Sequence, residues 1–332
     1  MSQRDKLLIW TSGSKFEPSR RYRIDCYIGF YSQHFDIVYF DDVSLSRLLS
    51  RPTIRTLRML VSLFSADVIL LQRRLLPIFL VKVLKYMGKR VVLDVDDGIH
   101  LYESYAGYPF QSLKALLAHV IIGNEYLLGY WSDKYYDCTV IPTGVEYVEY
   151  KKRSVKSDQI DFLWIGTKTN FDNLLIYYDY LQRLNTSNRF KLTVVSDTVP
   201  DFVTSEFSEF IMWHEGIEKE IEDSNVPYVG LMPLNEVNEV NLFKCSFKML
   251  QYMNWSMPVI VTPIGMNKDL LDSDQVGFGV SEETEFHNSI FTLMSDCELY
   301  DILAKCGNQV IKSKYSRQFI RDSYLKTLKN QL

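Results

Sequence analysis

The stretch Lys244–Gly265, KCSFKMLQYMNWSMPVIVTPIG, decides how the chain is read. It opens on an apolar helical run carrying two lysines and a glutamine, passes a tryptophan and a proline, and reaches the β-type run Val259-Ile260-Val261. On a wheel at about 100° per residue, Lys244, Lys248 and Gln251 share one side, and Phe247, Leu250 and Met253 take the other. The preceding run Tyr228–Leu234, YVGLMPL, is almost wholly apolar, which predicts a strand buried on both faces. A helix after such a strand starts at the carboxyl edge of a parallel sheet, where ligands bind. Two lysines added to the positive end of the helix dipole suit a diphosphate. A solvated lysine face has the same periodicity, so spacing alone leaves both readings open.

Outward from this stretch, short β-rich runs alternate with amphipathic segments of helix length. The first half predicts strands at Leu7–Thr11, Ile37–Phe40, Val68–Leu71, Val91–Val95, Val120–Ile122 and Thr139–Ile141. The polar stretch 149–159, EYKKRSVKSDQ, has no apolar period and reads as a linker. The pattern then restarts at Phe162–Ile165, Lys191–Val195, Ile211–Trp213, Tyr228–Met232 and Val259–Thr262. Such alternation predicts parallel sheets covered by helices on both faces. The expected organisation is a domain over 1–148, a linker over 149–159 and a second domain over 160–315. A C-terminal helix over 316–332 is expected to cross back to the first domain. Two doubly wound, Rossmann-like α/β units in tandem predict a ligand site in a cleft between them.

The totals exclude several classes. The chain has 332 residues with 47% hydrophobic and 23% charged, the balance of a soluble globular protein. No apolar run reaches the length of a membrane span, and no N-terminal signal pattern is visible. Five scattered cysteines without a Cys-x-x-Cys indicate neither a disulfide framework nor a zinc ribbon, and a reducing cytoplasm fits them best. Residues 1–147 hold 18 Lys+Arg against 15 Asp+Glu, and the remainder 19 against 26. This balance argues against a general nucleic-acid binder and for two domains with different partners. The five histidines have no metal-ligand spacing, and of these only His100 falls near the predicted cleft.

Other runs carry chemistry beside plainer readings. Gly166-Thr167-Lys168-Thr169-Asn170 follows an apolar strand and precedes a helix, so its backbone can approach phosphate, and Asn170 suits an N-cap. An ordinary turn between strand and helix has the same composition. Arg20, Arg21 and Arg23 surround Tyr22 just after the first strand, and arginine forks suit phosphate or carboxylate. They also suit the wet face of a first helix. Arg47, Arg51, Arg55 and Arg58 alternate with apolar residues in RLLSRPTIRTLRMLVSLF, which fits either a helix on an anionic membrane surface or one packed on its own sheet.

Taken together these stretches resemble family 4 (group 1) glycosyltransferases, which have the GT-B fold. KCSFKMLQYMNWSMPVIVTPIG is similar to that family's donor segment, usually Glu-x7-Glu, Ala-Met-Ala and Gly-x-Pro-Val-Val-Ala. Its second Glu, which holds the ribose, matches Gln251, and its first would match Phe243, which has no polar group. PSRRYRIDCYIGFY, VILLQRRLLP, KRVVLDVDDGIH, VIIGNEYLLGY, VIPTGVE and FLWIGTKTNFDNL resemble further segments in the family's order. The resemblance implies retaining transfer from a nucleotide sugar to a glycan or lipid-linked glycan in surface polysaccharide synthesis, without metal or cofactor. It implies donor contacts at Gly166, Thr167, Lys168, Asn170, Lys244, Lys248, Gln251 and Gly265. On the acceptor side it implies Arg20, Arg21, Tyr22, Arg23, His100 and Asn124, and as catalytic groups Asp96, Asp97 and Lys248. A contact with a membrane surface through the N-terminal domain is the further partner expected, at the inner face of the membrane. Asp94-x-Asp96 also matches the metal motif of the other large glycosyltransferase fold, GT-A, but two nucleotide-binding-type units argue against that fold. The missing first Glu keeps a catalytically silent subunit of the same fold as an alternative, and a nucleotide-sugar epimerase is another.

Overall fold

The computed structural model describes residues 4–41, 53–132, 138–153, 159–184, 189–203, 206–235 and 237–332. It divides into two compact units, the first comprising 1–144, 243–245 and 317–332 and the second 145–242 and 246–316. Each is built on six parallel strands with helices between them.

In the first unit the strands are β1 (Lys6–Thr11), β2 (Asp36–Phe40), β3 (Val68–Gln72), β4 (Arg90–Val95), β5 (His119–Ile122) and β6 (Cys138–Val140). Their order is β2-β1-β3-β4-β5-β6. Leu8 pairs with both Val38 and Ile69, so β1 is central. Every residue of β3 is buried, as a strand covered on both faces requires. Each fully buried leucine or isoleucine here contributes about 1.5–3 kcal/mol. The direction of winding reverses between β1 and β3, and their carboxyl ends define this unit's ligand edge.

In the second unit the strands are β7 (Ile160–Ile165), β8 (Phe190–Ser196), β9 (Ser208–Met212), β10 (Tyr228–Met232), β11 (Val259–Val261) and β12 (Gly277–Gly279), in the order β12-β11-β10-β7-β8-β9. Winding reverses between β7 and β10. The sequence missed β12. Its GFG core has poor strand propensity, and the strand exists because Gly277 and Gly279 pair with Val259 and Val261. A side chain on Gly277 would collide with the Val259 carbonyl.

The expected boundaries shift. The first unit closes at Gly144 instead of 148. The expected linker 149–159 is packed where it is described: Lys151 N–H donates to Ser256 Oγ at 3.0 Å and Arg153 Nη1 to the Ser256 carbonyl at 3.1 Å, both within the second unit. Polar composition misled here because Lys151 and Arg153 bond to backbone and hydroxyl partners. The helix Arg317–Lys329 belongs to the first unit, where Ile320, Tyr324 and Leu328 join the core of Leu7, Ile9, Val68 and Leu70. Among the described residues no helix is long and apolar enough to cross a membrane. Arg47, Arg51 and the side chain of Arg55 lie outside the described residues.

Candidate functional site

The opening stretch divides where the sequence reads one helix. The helix spans Phe247–Asn254, and Ser246 before it has φ 51° in the left-handed region. A helical wheel cannot run through that residue, so Lys244 does not share a helical face with Lys248 and Gln251. Lys244 falls in the first unit and the other two in the second. The solvated-face reading also fails, because Gln251 is buried and Lys248 half-buried.

Lys248 lies in the first turn of that helix. Its Nζ sits 4.5 Å from the centroid of the Trp164 ring, a cation–π contact that steers the ammonium toward the end of β7. A Cβ on Gly166 would strike the Trp164 ring and come within 2.9 Å of Lys248 Nζ. The glycine therefore leaves room for the ammonium. Tyr252, four residues on, lies across Gly230 of β10, where any side chain would collide with its ring. Its hydroxyl accepts the Ile165 N–H at 3.0 Å, tying helix, β7 and β10 together at the winding reversal.

The glycine loop differs from expectation in one respect. Three of its N–H groups are already engaged: Gly166 with the Val195 carbonyl at 3.0 Å, Lys168 with Asp197 Oδ1 at 3.3 Å, and Asn170 with the Thr167 carbonyl at 2.9 Å. The Asn170 amide donates to the Thr167 and Thr169 hydroxyls, 3.3 and 3.2 Å away. The loop is thus an internally bonded turn with the Lys248 ammonium beside it. Thr167 and Lys168 are exposed at its tip. Gly265 stands at φ 54° just before the helix Met266–Ser273, and a Cβ there would run into the Leu242 carbonyl oxygen, so only glycine fits.

The first unit concentrates acids at the end of β4 and an arginine, Arg73, at the end of β3. Arg23 is fully buried and forks onto Asp94, Nε to Oδ2 at 3.0 Å and Nη2 to Oδ1 at 2.7 Å. Its Nη1 donates to the Ile141 carbonyl and Thr143 Oγ1, and the Tyr324 hydroxyl adds 2.7 Å to Asp94 Oδ1. Burial alone would pull the Arg23 pKa down, but Asp94 holds it well above its ordinary value. The acceptor role expected for Arg23 is corrected: a sealed, saturated arginine reaches no ligand. The same pairing removes Asp94 from any Asp-x-Asp chelate. Arg20 is likewise buried, with Nε on Asp25 at 2.9 Å and Nη1 on the Gly13 carbonyl. Tyr22 is buried, and the half-buried Arg21 lies over its ring.

Asp96 and Asp97 are less completely matched. Asp96 is buried with Oδ1 3.6 Å from Arg73 Nε, too long for a hydrogen bond. Asp97 Oδ1 accepts the Cys245 N–H at 3.2 Å and its Oδ2 faces the Tyr102 hydroxyl at 3.4 Å. Burial, then the neighbouring Asp96, pushes the Asp97 carboxyl up to about 6 against the pull of Arg73 and Lys244. Burial lowers the Lys244 ammonium while Asp97 raises it. Arg73 was missed by the sequence reading. It sits at φ 48° directly after β3, donates Nη1 to Ser19 Oγ at 3.2 Å, and is raised by Asp96. A charged residue straight after a fully buried, mostly apolar strand was the available signal.

His100 and Asn124 are packing groups. His100 stacks on Tyr130 at 3.5 Å and 9°, with Phe110, Trp131 and Phe243 around it, and burial lowers it to about 4. Asn124 donates to the Phe243 carbonyl at 2.8 Å and caps Leu127 with its oxygen, so both ends of its amide are in use. The acceptor role expected for Asn124 is corrected on that ground, whereas His100 keeps a buried Nδ1 without a hydrogen-bond partner. Among the described residues no cluster of three His, Cys, Asp or Glu could hold a metal.

No family model matches the chain, and no curated protein does. Solved structures do. HepE of Anabaena, in complex with UDP and glucose, is 13% identical, with 98% of this chain and 100% of that one covered at a TM-score of 0.70. The apo lipopolysaccharide outer core galactosyltransferase WaaB is 10% identical over 99% and 100%, at 0.66. A putative UDP-N-acetylglucosamine 2-epimerase from Listeria monocytogenes is 10% identical over 98% and 96%, at 0.56. The fold is therefore GT-B, with two Rossmann-like units.

Proposed function

We propose that this chain is a glycosyltransferase that moves a sugar from a nucleoside-diphosphate sugar to a glycan or lipid-linked glycan. The observation that carries this is the Lys248 ammonium held beside Gly166 at the carboxyl ends of β7 and β10, where a doubly wound sheet binds its nucleotide. Negative charge builds on the diphosphate as the glycosidic bond breaks. A preorganised cation beside the leaving group stabilises that charge more in the transition state than in the ground state. Gln251, one turn along, offers an amide to the ribose hydroxyls. Thr167 and Lys168 lie at the exposed tip of the same loop. Uridine is the first nucleotide to test, because HepE was solved with UDP.

The acceptor belongs to the first unit in this reading. Asp96 and Asp97 would hold its hydroxyls, and a carboxyl near pKa 6 is suited to taking a hydroxyl proton at neutral pH. Lys244 acts as the counter-charge to Asp97 instead of a second diphosphate ligand. Retention, metal independence and a role in surface polysaccharide follow from the family resemblance. Thermal shift with a panel of nucleotide sugars tests the reading. A donor at a hundred times its Kd should stabilise the protein by about 2.7 kcal/mol. A panel in which no nucleoside diphosphate sugar shifts the melting point would overturn it.

One observation favours a silent nucleotide-binding subunit. Phe243, at the position of the family's first Glu, is buried with its ring 5.5 Å from His100 and packed against Gly98. It offers a ligand only an apolar surface. Slow hydrolysis of the bound donor separates the readings, since a silent subunit shows none. An epimerase would interconvert nucleotide sugars with no acceptor present.

A further inference from the structure

The helices Ile54–Ser65 and Ile78–Tyr86 of the first unit each present a row of apolar residues to solvent. On the first, Ile54, Leu57 and Val61 are exposed at positions i, i+3 and i+7, Ile54 to 88%. On the second, Phe79, Val83 and Tyr86 are exposed at i, i+4 and i+7, Tyr86 to 92%, with Met87 beside them. Isolated exposed apolar residues are ordinary, but two helical stripes of them are not.

The topology puts both stripes on one side of the unit. The chain passes from β2 to β3 through the first helix and from β3 to β4 through the second. Both crossovers run in the same direction across the order β2-β1-β3-β4. Right-handed crossovers in one direction place their helices on the same face of the sheet. The opposite face is covered by Ile24, Tyr27 and Tyr31 and by the C-terminal helix residues Ile320, Tyr324 and Leu328.

Charge identifies what fits this face. Residues 54–65 and 78–90 contain no Asp or Glu. Arg58 and Lys82 are exposed within the stripes, and Lys85, Lys89 and Arg90 close the second helix and the turn after it. Two apolar stripes whose own helices carry cations and no acids are complementary to an anionic lipid surface, where the side chains enter the headgroup boundary and the cations meet phosphates. We propose that the outer face of these two helices docks the protein on an anionic bilayer, with Phe79, Val83, Tyr86, Ile54 and Leu57 as the inserting residues. This places the main anchoring element on the helix Ile78–Tyr86, where the sequence pattern pointed only to Arg47–Arg58. The surface does not depend on the transfer reaction.

The test is co-sedimentation of the full chain with phosphatidylglycerol-containing vesicles and with pure phosphatidylcholine vesicles. Wild type should pellet with the first, and lose that binding as salt shortens the Debye length from about 10 Å at 0.1 M. Phe79→Ser/Tyr86→Ser should lower the partition coefficient at least tenfold. Arg58→Glu and Lys82→Glu should each lower it at least fivefold, in line with about 1 kcal/mol per basic residue at such a surface. All variants should keep the wild-type Tm and the nucleotide-sugar thermal shift, which reads the donor site separately. Equal recovery with neutral and anionic lipid overturns the proposal, as does unchanged binding of the Phe79→Ser/Tyr86→Ser variant. A concentration-dependent dimer in sedimentation velocity, abolished by that same variant, would assign the face to a second copy of the chain and also overturn it.

Discussion

Two acid–arginine pairs lie within a few residues of each other at the end of β4, and they are built oppositely. Asp94 is sealed with Arg23, Tyr324 and Thr143 around it, and nearly every polar valence in the group is matched. Asp96 and Asp97 face Arg73, Tyr102 and Lys244 through longer, incomplete contacts, and the Asp97 carboxyl is raised to about 6. A saturated buried pair has no capacity left for a ligand and serves to hold the chain. An under-matched pair costs stability and retains valence for binding or proton transfer. The two clusters therefore set a saturated pair beside an under-matched one over four residues of sequence.

That contrast can be broken first at the sealed pair. Asp94→Ala leaves Arg23 charged and buried without a partner, which should cost about 3–5 kcal/mol in chemical denaturation. Because Tyr324 comes from the helix Arg317–Lys329, that helix should lose hydrogen-exchange protection with it. A loss under about 1 kcal/mol would mean the pair is not sealed.

The next effect is on transfer. Lys248→Ala removes the ammonium held beside Gly166, and kcat should fall about a hundredfold, near 3 kcal/mol, with the melting point retained. The measurement is turnover with the donor that the thermal-shift panel identifies. Wild-type turnover in this variant would remove the Phe247–Asn254 helix from the mechanism.

Tyr324→Phe is milder than removing the acid, since Asp94 keeps both Arg23 contacts. Loss of one hydrogen bond to a buried carboxylate should cost about 1.5–3 kcal/mol by urea denaturation. A neutral result would show that the hydroxyl contributes nothing beyond the ring packing with Tyr27.

The smallest change sharpens the open cluster. Asp97 in the folded chain holds its proton up to about pH 6, above an ordinary carboxyl near 4. The folded state thus binds more protons than the unfolded state in that window, so its contribution to stability falls as pH rises from about 4 to about 6. Asp97→Asn should flatten that slope and leave stability at pH 7 equal or higher. Tm measured across pH 4–7 checks this, and an unchanged slope would exclude Asp97 as its source.

Much of this was legible in the chain itself. Apolar runs such as VILLQ and IDFLWI marked parallel strands because a strand buried on both faces admits few polar residues. Their alternation with helices determined two Rossmann-like units, and Lys248 stood out as a cation one strand-to-helix turn beyond a buried strand. Tertiary structure decided the partners. Arg20, Arg21 and Arg23 look alike in PSRRYR, yet Arg23 is sealed on Asp94, 71 residues away, and Arg20 turns back to Asp25. Lys244 shared a helical wheel with Lys248 until the left-handed φ of Ser246 separated them. Tyr324 and β12 have no local signature of their roles, since each acquires its role from residues brought near by the fold. Local patterning depends on neighbours a few residues apart and survives in the sequence. Charge saturation depends on groups tens to hundreds of residues apart, and only the packed chain determines it.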